Sequence, residues 1–378
     1  MDQPVRRLLV IFFVFVPATW ARAGRTLSVD AREALLGDVV KLMVAQGAPR
    51  VAVHEDLAHR KVTFAAKGIS PAAGLRWLCR VEKLVVARDG GRLVLMPPAR
   101  VPVVTKVYKI AKLAPTHEAA RALDTFIQST VFQLYPHRGR DADGKPAPRL
   151  EVECVPGKLR LVAPMMVHRE VVALLNATLA VRSGRGYKQV AARYGATDIG
   201  FLAERGAPPA PRLQGEVELE GGQYEARVAV WMLTRAAGMS FYLDPWDDSL
   251  GKAHVELAGG KRALRATAED LAGSLGAALR WYDGAWVICR GDRAPLFGDY
   301  RLRAYNVSGT NPFLRPLLGF ARRQGEQRRR STVPSAVERM SEDLWLVGGP
   351  SALHEALEGF VERGRGGPSF RRPGRGWR

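Results

Sequence analysis

The sequence predicts an α+β fold of four small modules, each a short β-sheet with two helices, arranged as two tandem repeats. The main observation is a pattern in residues 158–175 that recurs in residues 343–360. In each copy an alternating apolar run ends in a small residue and a proline, and apolar residues then recur three and four positions apart. These two patterns are typical of a strand and of an amphipathic helix. The matching positions are Leu159, Leu161, Val162 and His168 in the first copy and Leu344, Leu346, Val347 and His354 in the second. A repeat of this length indicates two copies of a larger unit.

The first 23 residues have the features of a secretory signal peptide. Arg6 and Arg7 precede an apolar run over residues 8–20, and Ala21 and Ala23 form the small-x-small pattern that a signal peptidase accepts. The run is too short to span a bilayer comfortably. We expect export to the periplasm or cell envelope with cleavage after residue 23, and an uncleaved anchor is the alternative.

The rest of the chain is strongly basic. Without the signal peptide it has 54 basic and 36 acidic residues, a formal charge of +18. Such a charge favours anionic partners without naming one. Since no later segment is apolar enough to span a membrane, we expect a soluble mature chain.

The three cysteines, Cys79, Cys154 and Cys289, are far apart and lie in apolar periodic segments. An exported disulfide scaffold would have more cysteines, in even number. We expect buried free thiols, and one bridge between modules is the alternative.

The first module has two amphipathic helices and two pairs of extended runs. Its predicted elements are, in order, a helix over residues 32–46, extended runs over 50–54 and 61–66, a second helix after Ser70-Pro71, and a hairpin over 84–96. The first helix places Leu35, Val39, Leu42 and Met43 on one face. Gly47 is its predicted C-terminal cap, and Ser70 and Pro71 are the N-cap and first-turn residues of the second helix.

The second module has the order strand, helix, hairpin, helix. Its predicted elements are a strand over residues 105–110, a helix from Pro115-Thr116 to Val131, a polar loop over 136–148, a hairpin over 150–162 with its turn at Pro156-Gly157, and the helix of the repeated stretch. A segment rich in Gly, Pro and Arg then predicts a linker with at most one short helix near residues 188–194.

The second half repeats the order of the first. Its predicted elements are a helix over residues 224–237 ending at Gly238, runs over 241–243 and 254–257, a helix capped by Thr267 and Asp270, a hairpin around Asp283-Gly284, a strand over 300–306, a helix from Asn311-Pro312 to residue 323, and the second copy of the repeated stretch. If the halves are independent, residues 24–183 and 213–378 should each fold alone.

The predicted domains are a signal peptide (1–23), module 1 (25–98), module 2 (103–181), a linker (182–214), module 3 (215–291), module 4 (298–364) and a basic disordered tail (365–378). Modules 1 and 3 resemble the short N-terminal domain shared by secretins and TonB-dependent receptors. In module 1 the resemblance is carried by Leu35, Val39, Leu42, Gly47, the run 62–64, Leu75, Leu78 and the closing hairpin. Module 3 is similar, with a longer acidic loop at residues 244–248.

Modules 2 and 4 resemble the periplasmic repeat modules of secretins. Their L-x-L-V strand followed by a helix is present at residues 159–162 and again at residues 344–347. The resemblance implies the periplasmic part of a secretin, duplicated in tandem, and we expect no pore-forming region or receptor barrel. In secretins such modules stack into rings and receive partner proteins. We therefore expect envelope proteins as partners, and a homo-oligomer is also open.

Two groups of polar residues resemble metal sites only superficially. His54, Glu55, Asp56 and His59 fall between two strands, where no helix aligns the histidines. Asp244, Asp247 and Asp248 surround Pro245-Trp246 but lack the glycine and the distal glutamate of a calcium loop. We expect solvated loops at both places, with no metal and no cofactor.

His168 and His354 recur near the starts of equivalent helices. A paired functional role is conceivable, but a repeat preserves a structural residue as readily, and neither histidine has a nearby carboxylate or nucleophile pattern. The sequence also contains no G-x-S-x-G, Walker, H-E-x-x-H or dinucleotide motif. We expect no catalytic residues and no enzymatic activity.

Basic residues cluster in the loop over residues 322–330, in the tail over 363–378, and at Arg138, Arg140 and Lys145. Solvated charge is the simpler interpretation. The functional interpretation is contact with an anionic partner, since arginine binds phosphate and carboxylate in bidentate fashion. The candidate contacts are Arg322, Arg323, Arg328, Arg329, Arg330, Arg371, Arg372 and Arg375. Phe370 and Trp377 could add stacking.

The sequence thus favours a non-catalytic periplasmic docking or assembly protein, with a secretion or pilus-type envelope system as the apparatus it would serve. One alternative is a basic, KH-like binder of nucleic acid or an anionic envelope surface, bound through the basic loop and tail, although no G-x-x-G lies between two helices. A periplasmic signal-relay module is a second alternative.

Overall fold

The computed structural model describes residues 26–135, 149–182, 186–190, 210–293, 300–307, 319 and 336–363. Helices alternate with small sheets throughout, so the fold is α+β as predicted. The predicted signal peptide, the polar loop and the basic tail lie outside the described residues, as does the helix from Asn311 apart from residue 319. Among the helices of the described part, each is too short or too polar to cross a bilayer.

Module 1 contains two sheets. Its elements are β1 (Leu27–Leu35), α1 (Leu36–Ala45), β2 (Ala52–Val53), β3 (Lys61–Ile69), α2 (Pro71–Val81), β4 (Val85–Asp89) and β5 (Arg92–Met96). β1 pairs with β3 in antiparallel fashion, and β5 lies between β2, its parallel partner, and antiparallel β4. The Ser70 hydroxyl accepts a hydrogen bond from the Ala73 amide and Pro71 opens α2, as predicted. Gly47 has φ +104°, which suits its place after the end of α1.

The predicted start of the first helix is wrong. Residues 27–35 form β1, whose alternating burial matches its pairing with β3, and the helix begins only at Leu36. The buried face of α1 therefore contains Leu36 and Val40, whereas Leu35 and Leu42 are exposed. The end of β1 and the start of α1 follow one another without a break, so the apolar residue at the end of the strand continued the spacing of the helix.

Module 2 has one sheet of order β6-β8-β7 with helices on one face. Its elements are β6 (Val103–Lys109), α3 (His117–Ser129), α4 (Val131–Leu134), β7 (Glu151–Val155), β8 (Lys158–Pro164) and α5 (Met165–Arg182). The Thr116 hydroxyl caps α3 by accepting from the Ala119 amide. α3 ends at Ser129 instead of Val131, because Thr130 leaves helical geometry and its hydroxyl donates to the Phe126 carbonyl.

The short helix predicted near residues 188–194 is wrong for residues 188–190, which belong to strand β9 (Gly186–Val190) within the predicted linker. The backbone of β9 pairs in antiparallel fashion with residues 302–306 of module 4. An edge strand presents unpaired backbone groups, and β9 satisfies those of this edge. Glycine and arginine content alone did not reveal a strand whose partner lies more than 100 residues away.

Module 3 is similar to module 1, but two strand pairs, residues 216–219 with 260–263 and residues 222–225 with 254–257, stand in place of the single β1-β3 pair. Its elements are β10 (Glu216–Leu219), β11 (Gly222–Glu225), α6 (Ala226–Ala237), β12 (Phe241–Leu243), α7 (Asp248–Lys252), β13 (His254–Leu257), β14 (Gly260–Ala263), α8 (Leu264–Ser274), β15 (Ala277–Tyr282) and β16 (Ala285–Arg290). β16 lies between parallel β12 and antiparallel β15. The predicted N-cap Thr267 instead lies inside α8, which starts directly after β14, and its hydroxyl donates to the Ala263 carbonyl.

Module 4 repeats the sheet of module 2 with one added strand. Its described elements are β17 (Tyr300–Asn306), β18 (Ala336–Arg339), β19 (Leu344–Pro350) and α9 (Ser351–Arg363), and the sheet order is β18-β19-β17-β9. β19 pairs with β17 and β18 as β8 pairs with β6 and β7.

The strand pairing shows that the two copies of the repeated strand are equivalent at an offset that differs by one residue from the offset suggested by the apolar pattern. Pro164 pairs with the first residue of β6, and Pro350 pairs with the first residue of β17, so the strands match at an offset of 186. Leu344 and Leu346 are therefore equivalent to Lys158 and Arg160, not to Leu159 and Leu161. A shift of one residue moves a side chain to the opposite face of a sheet. The apolar pattern misled the alignment because both faces of β19 are buried.

The second half packs against the helices of the first half. In module 4, Tyr305, Trp345 and Val347 form a core with Leu357 of α9. The opposite face of the same sheet, with Leu302 and other residues, belongs to the core that contains α3 and α5. Its members from module 4 are Tyr300, Leu302, Ala304, Ala336, Met340, Leu344 and Leu346. Modules 2 and 4 thus form a four-layer stack: the β6-β8-β7 sheet, helices α3 and α5, the β18-β19-β17-β9 sheet, and α9.

Modules 1 and 3 follow the same arrangement. Phe241, Leu243 and Ile288 face the helices of module 3, whereas Tyr242 and Val287 belong to the core of the first half. Because one hydrophobic core contains residues of both halves, the structure argues against halves that fold alone.

Gly348 of β19 tests this packing between the halves. A Cβ at this position would lie 2.8 Å from Leu302 Cδ2, 2.8 Å from Thr130 Cγ2 and 2.9 Å from the Tyr300 hydroxyl. We expect Gly348→Ala to lower the free energy of unfolding by about 1–3 kcal/mol, because the added methyl group would overpack the site. The control is Gly273→Ala on α8, where no atom lies within 4 Å and a gain of up to about 1 kcal/mol is expected. Urea unfolding checks both, and an unchanged midpoint for Gly348→Ala would contradict the packing.

Candidate functional site

The predicted anionic-partner contacts cannot be placed. Arg322, Arg323, Arg328, Arg329, Arg330, Arg371, Arg372 and Arg375 all lie outside the described residues. The polar side chains that the structure does bring together form a junction between the two halves. This junction is the candidate site, and it consists of protein-protein contacts within one chain.

The loop around His54 is held by contacts of its own. His54 Nδ1 accepts a hydrogen bond from the Asp56 amide at 3.1 Å, and Arg100 Nε donates to Asp56 Oδ2 at 2.7 Å. His59 is exposed. Within the described ranges no three His, Cys, Asp or Glu side chains are grouped so that they could hold a metal ion.

Each of the three aspartates around Trp246 forms an ion pair with a basic side chain of this protein. Buried Asp244 pairs with Arg293 and accepts from the Trp246 amide, and Asp247 caps α7 and pairs with Arg290. Asp248 reaches Lys83 of module 1. These carboxylates therefore stabilise a loop and a contact between modules.

All three cysteines are free thiols in this structure. Cys79 and Cys289 are buried and Cys154 is half-buried. Burial raises the pKa of each thiol to about 12, so all three are protonated and unreactive at neutral pH.

Asp283 is the centre of the junction. It lies at the two-residue turn between β15 and β16, where Asp283 has φ +51° and Gly284 φ +78°, values that a hairpin of this kind requires. The turn inserts the carboxylate against α2 of module 1. Arg76 binds both carboxylate oxygens, with Nε donating to Oδ2 at 2.7 Å, and Arg80 Nη1 donates to Oδ2 at 2.6 Å. The three side chains are at most 6% exposed.

Aromatic rings extend the junction beside this ion pair. Trp77 stacks on Tyr242 of β12 with ring centroids 4.5 Å apart, and its indole N–H donates to the Asp283 carbonyl at 3.0 Å. Phe64 also stacks with Tyr242, with ring centroids 5.8 Å apart. Arg80 lies over the rings of Trp77 and Tyr282 at 4.8 and 5.1 Å, a cation-π geometry.

Backbone contacts fix the position of module 3 on β3. The Tyr242 hydroxyl donates to the Ala65 carbonyl at 3.0 Å. The Ser240 hydroxyl donates to the Lys67 carbonyl and accepts from the Lys67 amide, both at 2.9 Å. These bonds occupy backbone groups of β3 and define one relative position of the two modules.

Modules 2 and 4 each contain an equivalent Tyr-His pair. His168 contacts the Tyr108 hydroxyl through Nδ1 and the Val104 carbonyl through Nε2, each at 2.8 Å. His354 contacts the Tyr305 hydroxyl at 2.8 Å and the Arg301 carbonyl at 3.0 Å in the same way. Because a carbonyl oxygen can only accept, Nε2 carries the proton and Nδ1 accepts from the tyrosine. Each pair ties a helix to the first strand of its sheet, a structural role.

No protein-family model and no curated protein matches this chain. Solved structures that are similar include an assembly of InvG N0N1, SpaPQR and PrgHK from the Salmonella SPI-1 injectisome, at 15% identity over 43% of this chain and 97% of the other, with a TM-score of 0.20. The Salmonella SPI-1 basal-body proteins InvG, PrgH and PrgK match at 11% identity over 89% of this chain and 45% of theirs, with a TM-score of 0.21. XcpQN012 matches at 13% identity over 46% and 73%, with a TM-score of 0.17. Similarity at this level carries no argument about function.

The junction was not predicted from the sequence. Local patterns place Asp283 in a turn and the residues around Leu75 and Leu78 on a helix, but they do not show contacts between residues about 200 positions apart. The sequence did contain one signal. α2 is apolar on nearly every side, which is typical of a buried helix, and Arg76 and Arg80 lie among its apolar residues. Buried charges need a partner, so these two arginines indicate an acidic group from another part of the chain.

Asp283→Asn is expected to be strongly destabilising. It leaves two buried guanidinium groups without the carboxylate, and breaking a buried pair in this way typically costs about 3–5 kcal/mol. Asp248→Asn is the matched control, because it removes an exposed pair with Lys83 and should cost under about 1 kcal/mol. Urea unfolding of the two variants measures the difference, and equal losses would show that the Asp283 pair is dispensable.

The buried His354 ring should make the free energy of unfolding fall in mild acid. Its ring is buried, which lowers its pKa to about 4, whereas the unfolded chain has the ordinary value of 6.5. The neutral His354 ring contributes fully to the free energy of unfolding above pH 6.5. This contribution decreases as the pH falls towards 4, because between these pH values the imidazole binds a proton in the unfolded state but not in the folded state. The loss is on the order of 3 kcal/mol.

His354→Phe should reduce the dependence of the unfolding free energy on pH between 6.5 and 4, although it also removes the bond to Tyr305. Some dependence should remain, because burial lowers the pKa of His168 as well. Urea titrations at several pH values provide the measurement, and an unaltered slope in His354→Phe would refute the assignment.

Proposed function

We propose that this chain is a non-catalytic protein of the periplasm or cell envelope whose modules bind other proteins. The observation that supports this most is the construction of the modules. In module 3 the β12-β16-β15 sheet, and in module 4 the β18-β19-β17-β9 sheet, is covered on one face by helices of its own module and on the other face by a different module. Such modules bury surface by packing on one another.

The polar chemistry of the described residues agrees with a non-catalytic role. Asp244, Asp283, His168 and His354 are buried, and each is bound by a side chain or backbone group of this chain. A catalytic group would be open to a cleft, whereas these groups lie inside junctions and cores. Together with the predicted signal peptide and the secretin-like pattern of the sequence, this favours a docking or assembly component of an envelope system such as a secretion or pilus apparatus.

The test is affinity purification of the exported mature protein with the tail present or deleted after Gly364, at low and at moderate salt. We expect envelope proteins that stay bound at moderate salt and after removal of the tail. A matched variant with Arg371, Arg372 and Arg375 replaced by lysine keeps the charge and controls for arginine-specific contacts. Recovery of nucleic acid or lipid that is lost with the tail or with salt would overturn the proposal in favour of an anionic-surface binder.

A further inference from the structure

Helix α9 covers one face of the module 4 sheet without joining the core that the two halves share. Its Leu357 packs on Tyr305, Trp345 and Val347, which form a small separate core with two further valines of module 4. The opposite face of the same sheet belongs to the core that contains α3 and α5. A helix attached by so few buried side chains opens at a lower free energy than the core beneath its sheet. α9 can therefore leave the sheet while the shared core stays closed.

Polar contacts between α9 and β17 involve two groups that acid protonates. His354 accepts a hydrogen bond from the Tyr305 hydroxyl at 2.8 Å and donates one to the Arg301 carbonyl at 3.0 Å. Glu358, one turn further along α9, forms an ion pair with Arg303. The His354 imidazole gains a charge in acid and the Glu358 carboxylate loses one. The attachment of α9 to its sheet therefore depends on pH.

The surroundings of His354 disfavour a positive charge on its ring. Burial and, to a smaller extent, the charges of Arg303 and Arg301 lower the pKa of the ring to about 4. β19 has no ionisable side chain. The other charged side chains on this side of the sheet and on the described turns of α9 are Arg339 on β18, which is exposed, and Glu355 and Glu358 on α9. Because Glu358 already pairs with Arg303, a protonated His354 adds an unbalanced positive charge.

The equivalent histidine of module 2 shows what is particular to α9. His168 contacts the Tyr108 hydroxyl and the Val104 carbonyl in the same way. Its helix α5, however, is buried between two sheets and contributes residues along its whole length to the shared core. α5 cannot leave without opening that core, whereas Ala352 and Glu355 of α9 are exposed. The same contact therefore has different consequences in the two modules.

We propose that α9 is an acid-released cover of the module 4 sheet: protonation of His354 detaches this helix and leaves the shared core closed. In the detached helix the imidazolium is hydrated and lies away from the arginines of β17. The release uncovers Tyr305, Trp345 and Val347. The surface that module 4 presents therefore changes with pH, and this inference does not depend on the proposed docking role.

Hydrogen exchange of the purified chain, followed by mass spectrometry and corrected for the intrinsic effect of pH on exchange, tests the proposal. Between pH 7.5 and pH 5 the opening constant for residues 351–363 should rise by roughly 30-fold, because the pKa of the ring is about 4 on the sheet and 6.5 in water. The contribution of the neutral ring is complete above pH 6.5 and declines below it. Peptides of α5 and β17 should keep their protection. Unchanged protection of α9 at pH 5, or loss of protection in α9, α5 and β17 together, would overturn the proposal.

His354→Gln decides whether this ring is responsible, because glutamine offers a donor and an acceptor but does not titrate. Most of the rise at α9 should be lost, whereas His168→Gln, the matched control, should leave it intact. If the glutamine variant loosens α9 already at pH 7.5, Tyr305→Phe provides the second test, since it removes a contact of α9 but keeps the imidazole. Tyr305→Phe should weaken protection at both pH values and retain the rise. A rise that persists in His354→Gln or disappears in Tyr305→Phe would contradict the proposal.

Discussion

The β12-β16-β15 sheet of module 3 and the β18-β19-β17-β9 sheet of module 4 are covered by helices of their own module on only one of their two faces. Such a sheet must find another apolar surface or keep its second face polar. In modules 3 and 4 the second face rests on helices of the first half, so that α2, α3 and α5 serve two modules each. This double use of the helices explains why α2 and α5 are buried almost all round and why one core runs through both halves.

The polar residues of the junction follow from the same constraint. Apolar packing is non-directional and would tolerate a rotation or a slide of one module on the other. The Asp283 carboxylate can meet Arg76 and Arg80 in one position only, and the hydrogen bonds of Ser240 and Tyr242 to β3 allow one register. A buried ion pair contributes little net stability, so we infer that this one specifies the orientation of the halves. The exposed pair of Asp30 and Arg235 at the rim of the junction adds little.

Much of the fold was predictable because its signals are local. The caps at Ser70 and Thr116, the glycine after α1 and the hairpin at Asp283-Gly284 each depend on neighbours within a few residues. β9 and the junction were not predictable, because their partners lie more than 100 residues away. The register of the repeat failed for a physical reason: burial of both faces of β19 removed the alternation that marks which face is inside. Of the candidate site, the sequence supplied the residues but not their contacts.

Because the sheets of the second half and the helices of the first half share one core, we expect them to unfold as one cooperative unit. Native-state hydrogen exchange at increasing urea measures this directly, by comparing the amides of α2 and α5 with those of β12, β17 and β19. The structure predicts that these elements exchange through the same opening, with one free energy and one dependence on urea. If the second-half strands instead open at lower free energy while α2 and α5 stay protected, the halves are separate units and the shared core does not couple them.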